Sequence, residues 1–313
     1  MPFDFSAVSA PFRMQPGLRK LAPGAQQLTP NLPGDRALAE KLLVLQHDAD
    51  RALLCAPGFD TGPALHALIE HAVAEHPQAF AFDGDSHFAA HRLGWSLRGL
   101  EPVGNGAPAI GACLRALPVH QRLAALLALA LAEDLAVIDA RSGRVEWLAV
   151  CLPSHWAPES KVGRHFTEVH APVADNALLL TASDHLARLV TGHQRWERFV
   201  WTLTRHPRLH AHPAHTAHDP WPAQASADAI AAQTFFRTER QTFIPLPDLQ
   251  QAVFTIHVDL RPLTQALHDA DQARQLHDAL ATMSPAVLAY RGLTDARERL
   301  LVWLSRQAAP ANP

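Results

Sequence analysis

Leu135-Ala-Val-Ile-Asp139-Ala-Arg-Ser-Gly-Arg144-Val145-Glu-Trp-Leu-Ala-Val-Cys-Leu152 decides the fold. Both ends of this stretch are apolar and strand-like. They flank Ala140-Arg-Ser-Gly-Arg144, a plausible tight turn, so the natural reading is two antiparallel strands in a hairpin. Further strand-like runs occupy 198–204, 234–246 and 252–260, and the last two, separated by Pro247-Asp-Leu-Gln250, are expected to pair. Between them, 158–169 and 175–192 read as helices, with Pro158 near a start and Gly192 near an end. The order is two strands, helices, three strands, which makes the chain α+β.

Upstream, 36–47 is helical by periodicity, Thr61 caps a second helix with Pro63 early and Pro77 after it, and 119–131 carries a Leu/Ala packing seam. Downstream of Pro262 the pattern is helical again, with 295–304 amphipathic and a loose tail. The expected organisation is a mostly helical region over 1–134, a core over 135–262 and a helical extension over 263–313. The strand and helix order of that core is the one found in PAS-type sensor domains, where a five-stranded antiparallel sheet and its helices enclose a small molecule or a heme.

Composition bounds the chemistry. The 313 residues are 48% hydrophobic and 18% charged, enough to bury a substantial core, and a net charge of −3 lacks the basic excess that nucleic-acid binding requires. Cys55, Cys113 and Cys151 form no Cys-x-x-Cys pair, which argues against a disulfide framework or an iron–sulfur site and for reduced thiols in the cytoplasm. The start lacks the pattern of a secretory signal, and the apolar run 123–132 is too short to span a bilayer. No Gly-x-Ser-x-Gly, His-Glu-x-x-His, P-loop or Gly-x-Gly-x-x-Gly appears, which removes the common hydrolase and nucleotide readings.

Twenty histidines are spread along the chain. The group His206, His210, His212, His215 and His218 with Asp219 has the spacing to converge on Zn2+ or Ni2+, but its Pro-rich setting favours a loop with adventitious affinity. His87 and His91, four apart, read as a surface pair.

Several blocks agree in order: Trp156-x-Pro158-x-x-Lys161-x-Gly163, Val169-His170-x-Pro172-Val173, Arg198-x-x-Trp201, Arg237-x-Glu239-Arg240-Gln241-Thr242 and Phe254-Thr-Ile-His257. Together with Pro11-Phe-Arg-Met14 and the Glu133-Asp134-Leu135 junction, they resemble the heme-dependent oxidative N-demethylase α-subunit family. The resemblance covers most of the chain, most thinly over 35–118 and after 262. It implies a heme PAS-like fold and oxidation of dimethylamine by O2 to methylamine and formaldehyde. Electrons would come from NADPH through a separate reductase carrying flavin and iron–sulfur centres, and this chain has a motif for neither nicotinamide nor a cluster.

Carried over residue by residue, the resemblance puts the heme b ligand at His170, and the arginine–glutamate–arginine block at Arg237, Glu239 and Arg240. A histidine at a helix end before Ala171-Pro172 suits an axial ligand, with His165 and His155 as rivals and a helix-capping role as the alternative. Lys161, Arg164, Arg237 and Arg240 are candidates for the heme propionates, and Trp156 sits close enough in sequence to touch the cofactor. Strand alternation puts Arg237, Glu239 and Gln241 on one sheet face and Arg240 on the other with Thr238 and Thr242. Arg237 and Glu239 are therefore expected to form a polar oxygen or amine site, an ordinary cross-strand ion pair being the alternative. Two positions depart from the family: Ala174 stands where Pro is common, and Val200 where Asn is usual. If the Arg198 and Val200 face lines the pocket, it is expected to be less polar. That puts dimethylamine itself in question, while a small, dimethylamine-like secondary amine stays the expected substrate. A gas or redox sensor, or a heme-free relative that binds another small molecule, remains open beside the enzyme.

Overall fold

The computed structural model describes residues 3–216 and 220–309. Eleven strands occur among them: β1 (Arg19–Lys20), β2 (Leu53–Cys55), β3 (Phe80–Phe82), β4 (His87–Ala90), β5 (Trp95–Arg98), β6 (Glu101–Gly104), β7 (Asp134–Asp139), β8 (Arg144–Ala149), β9 (Trp196–Thr204), β10 (Phe235–Leu246) and β11 (Gln251–Pro262). They form a seven-stranded sheet in the order β1-β9-β10-β11-β7-β8-β2 and a four-stranded sheet β3-β4-β5-β6, antiparallel throughout.

The five strands expected from the sequence, β7 to β11, lie side by side, but the sheet they build has seven strands rather than five. β1 and β2 extend its edges and are two and three residues long, too short to leave an alternating pattern. The hairpin between β7 and β8 turns as its residues require. Asp139 Oδ1 accepts from Arg141 N at 2.8 Å, and Gly143 takes φ +67°, where a Cβ would lie 2.3 Å from His165 Nε2.

The region before β7 is less helical than expected. The helices Arg36–His47, Gly62–Glu75 and Arg122–Ala130 are present, but 80–104 is a meander of β3 to β6. Its strands have only three or four residues each and gather around Trp95, which donates to Ala107 O at 3.1 Å. His87 lies in β4 and His91 in the turn that follows, so the two share no helix face.

The helix expected over 158–169 is broken in two. Gly163 adopts φ +70°, and bonds from Gly163 N to Val145 O (2.7 Å) and from Val145 N to Arg164 O (3.0 Å) dock the break onto β8. A 3-10 turn, Pro158–Ser160, precedes it and the helix Phe166–His170 follows, capped by a reciprocal His165 and Glu168 box. The helices Ala177–Thr181 and Ser183–Val190 complete this layer.

Four apolar clusters load the large sheet, one of them Ile138, Val190, Phe243 and Ala252. Val145, Leu148, Val169 and Trp156 pack the broken-helix layer onto one face. On the opposite face, Trp201, Leu203 and Phe236 meet the C-terminal helices through Leu276, Leu280 and Trp303. The N-terminal helices and the meander join a third cluster with Leu135, Val137, Trp147 and Val253. Among the described residues no helix is long and apolar enough to cross a membrane.

Candidate functional site

Between the large sheet and the broken-helix layer, and reaching Tyr290, Arg291 and Asp295 of the C-terminal region, lies a cavity of about 790 Å³. That is within the roughly 300–1,000 Å³ range of cofactor and ligand sites, and most of its wall is apolar. His170, Lys161, Trp156, Arg237 and Glu239 line it, with Ser154, Arg198, Val200 and Gln241.

His170 ends the helix Phe166–His170, and its Nδ1 lies 2.8 Å from Phe166 O. A carbonyl can only accept, so Nδ1 carries the proton and Nε2 keeps a free lone pair with no partner among the described residues. Burial pushes the imidazole pKa down to about 4, aided by the positive charges of Arg198 and Lys161. The ring is therefore neutral at pH 7. Of its rivals, His165 is used as the helix cap against Thr167, and His155 reaches the cavity but bonds Thr204 Oγ1 at 3.1 Å.

Register fixes the sheet side of the cavity. Thr202, Val200 and Arg198 of β9 sit opposite Arg237, Glu239 and Gln241 of β10. Glu239 is 8% exposed and opposite Val258 of β11, so it makes no cross-strand ion pair with that neighbour. Instead its Oε2 accepts from Gln241 Nε2 at 2.6 Å and its Oε1 from the Ser154 hydroxyl. Ser154 in turn accepts from Arg237 Nε at 2.7 Å.

Arg237 is 1% exposed and spends its other donors on the carbonyls of Leu152 (3.1 Å), Pro153 (3.2 Å), Arg208 (3.2 Å) and Leu209 (2.7 Å). Burial lowers its pKa to about 10. It is thus a clamp on two loops rather than a free cation. Lys161 is held by Val169 O at 2.8 Å, and burial lowers its pKa too; two of its three donors remain for a ligand.

Two of the expected cations lie elsewhere. Arg164 points to solvent beside Glu168 at 3.6 Å, because docking of 163–165 onto β8 turns its side chain outward. Arg240 lies on the opposite sheet face, bound to Glu197 Oε2 and Gln26 O, both at 3.0 Å, as alternation requires. Neither lines the cavity. Arg198 does, and among the described residues its buried Nε has no hydrogen-bond partner, while burial lowers its pKa. Its alternation with Val200 was the signal in the sequence. Ser154 carried no signal, because only folding brings its loop to β10.

Among the described residues the histidine group is not arranged as a metal centre. His206 bonds His210 O (2.9 Å), His210 bonds Cys151 O (2.7 Å), and His212 and His215 pair with Glu159 (3.1 Å) and Asp48 (3.3 Å). His218 and Asp219 lie outside the described residues, and among the described ones no cluster is arranged to hold a metal ion. A neutral imidazole with a fixed tautomer and a free Nε2, beside an apolar cavity of this size, fits the requirements of a heme ligand. A family model described as "Haem-dependent oxidative N-demethylase, alpha subunit-like" matches residues 36–301.

Proposed function

This chain belongs to the heme-dependent oxidative N-demethylase, alpha subunit-like, family, and from that premise we propose that it binds heme b through His170 Nε2 and oxidises the N-methyl carbon of a small amine with O2. The observation that carries the reading is the His170 ring, locked by Phe166 O with its second nitrogen free at the cavity. The central strands support a PAS-like description: β7 to β11 are contiguous, antiparallel and closed on one face by short helices.

Lys161, which lines the cavity, would hold a heme propionate, and Trp156 would pack against the bound cofactor. Bound there, the heme supplies the O2-dependent oxidising power. Glu239 accepts the N–H of the cationic amine; Ser154 and Gln241 aim its two oxygens, and Arg237 fixes Ser154. Val200, Phe243 and Phe254 keep the surroundings poor in water, which strengthens the carboxylate–ammonium attraction. For a secondary N-methylamine, the amine, O2, two electrons and two protons give the demethylated amine, formaldehyde and water.

The electrons come from a partner, in keeping with the family's description as an alpha subunit; we assign that role to a reductase carrying flavin and an iron–sulfur centre and fed by NADPH. The free thiols of Cys55, Cys113 and Cys151 support a cytoplasmic setting. A buried carboxylate facing the ligand space favours amine chemistry over sensing of a neutral gas.

The test is an absorption spectrum of the heme-loaded chain and of His170→Ala. A Soret band in the wild type that is lost or displaced in the variant supports the reading. A wild-type chain that takes up no heme overturns it.

A further inference from the structure

We propose that the substrate is a zwitterion, an N-methylated amino acid whose ammonium is held by Glu239 and whose carboxylate is held by Arg198; this rests on the amine reading above.

Arg198 and Glu239 face the same cavity from neighbouring strands with opposite charges, yet among the described residues they form no ion pair. The register explains why. Arg198 is paired with Gln241 and Val200 with Glu239, so the two charged residues are diagonal neighbours with Cα atoms about 7–8 Å apart. Glu239 is further turned toward Ser154 and Gln241. Among the described residues Arg198 makes no hydrogen bond, and its buried Nε is unpartnered. A buried N–H left without an acceptor is costly, and a bound carboxylate would remove that cost.

The Glu239 carboxylate has lone pairs beyond the two its partners use, so it can also take an ammonium N–H. Between the two charges stands Val200, apolar and facing the cavity, against which an N-methyl group packs. A ligand bearing both charges a few atoms apart satisfies both side chains at once, whereas a simple amine leaves Arg198 bare. The oxidation balances as before, the products being the demethylated amino acid, formaldehyde and water.

The experiment is isothermal titration of the purified full chain with N-methylglycine and with dimethylamine, in the wild type, Arg198→Gln and Arg198→Lys, with heme content recorded for each. The expected result is N-methylglycine binding at least tenfold tighter than dimethylamine in the wild type, with that preference abolished in Arg198→Gln and largely retained in Arg198→Lys. Equal or reversed preference in the wild type overturns the proposal. So does a preference that survives Arg198→Gln. If Arg198→Gln instead loses heme with its amine preference intact, Arg198 serves a propionate: the zwitterion assignment falls while the heme reading stands. An Arg198→Gln chain that fails to fold leaves Arg198→Lys to decide, because the lysine keeps the charge but not the fork of donors, and a preference wholly lost there would also overturn the proposal.

Discussion

In the proposed heme complex the iron would take the same Nε2 of His170 that a proton takes in the heme-free chain, so the titration of this ring bears on stability and, under that proposal, on cofactor retention. In the folded chain its pKa is depressed to about 4 by burial, against about 6.5 for a free histidine. As pH falls from about 6.5 to about 4, the unfolded chain takes up a proton that the folded chain refuses, so stability falls on acidification through that window. The loss reaches roughly 3 kcal/mol, less whatever water in the cavity screens. Urea unfolding of the heme-free chain at pH 7 and pH 4.5 should therefore show a smaller drop in His170→Gln than in wild type; equal drops would remove the buried, neutral imidazole. The place of His170 at a helix end before Ala171-Pro172 was legible as a local pattern, whereas its reading as a ligand came from the family resemblance. Arg237 was legible as a buried polar residue of β10 but not as a clamp, since its carbonyl partners come from 152–153 and 208–209, far away in sequence. Arg164 misled for the converse reason: its place beside Lys161 says nothing about the Gly163 break that turns it outward.

At the scale of elements, the loop 150–154 carries Ser154 to Glu239 and is fastened from both sides. Asp134, at the start of β7, accepts from Cys151 N (3.0 Å) and Leu152 N (2.6 Å), and is itself paired with Lys41 at 3.2 Å. Lys41 is fully buried and also donates to Leu131 O (3.1 Å) and Glu133 O (2.6 Å). Removing one member of such a buried pair leaves the other charge stranded, at a cost of about 3–5 kcal/mol. Lys41→Ala should lower the urea midpoint accordingly and weaken amine binding through the loop, whereas Arg274→Ala, at an exposed i,i+3 pair with Asp271 in the helix Ala270–Ala281, should change stability by no more than about 0.5 kcal/mol. Similar midpoints for the two variants would contradict this account. The sheet's central strands were readable because β9, β10 and β11 run nine to twelve residues and alternate over that length. The meander β3 to β6 was not, since a strand of three or four residues gives no period to count. What holds it is Trp95 against Gly111, where any Cβ would come within 2.1 Å of the ring.

For the molecule as a whole, the question is whether the regions 1–134, 135–262 and 263–313 unfold apart or together. The large sheet argues for together. β1 and β2 of its edges come from the first region, Trp201, Leu203 and Phe236 of β9 and β10 are covered by the helices after 262, and Tyr290, Arg291 and Asp295 of that region also line the cavity. Leu280 sits at the centre of that cover, fully buried in the helix Ala270–Ala281. Leu280→Ala leaves a hole that costs about 2–5 kcal/mol. If the C-terminal helices and the cavity share one cooperative unit, the variant's far-ultraviolet circular dichroism and the Soret absorbance of bound heme should both shift to the same lower denaturant midpoint. Their transitions should superimpose in wild type and variant alike. Two separated transitions, with the heme signal unmoved by Leu280→Ala, would instead make the residues after 262 an independent layer, and the rigidity that holds His170 across from Glu239 would then have to come from the N-terminal side alone.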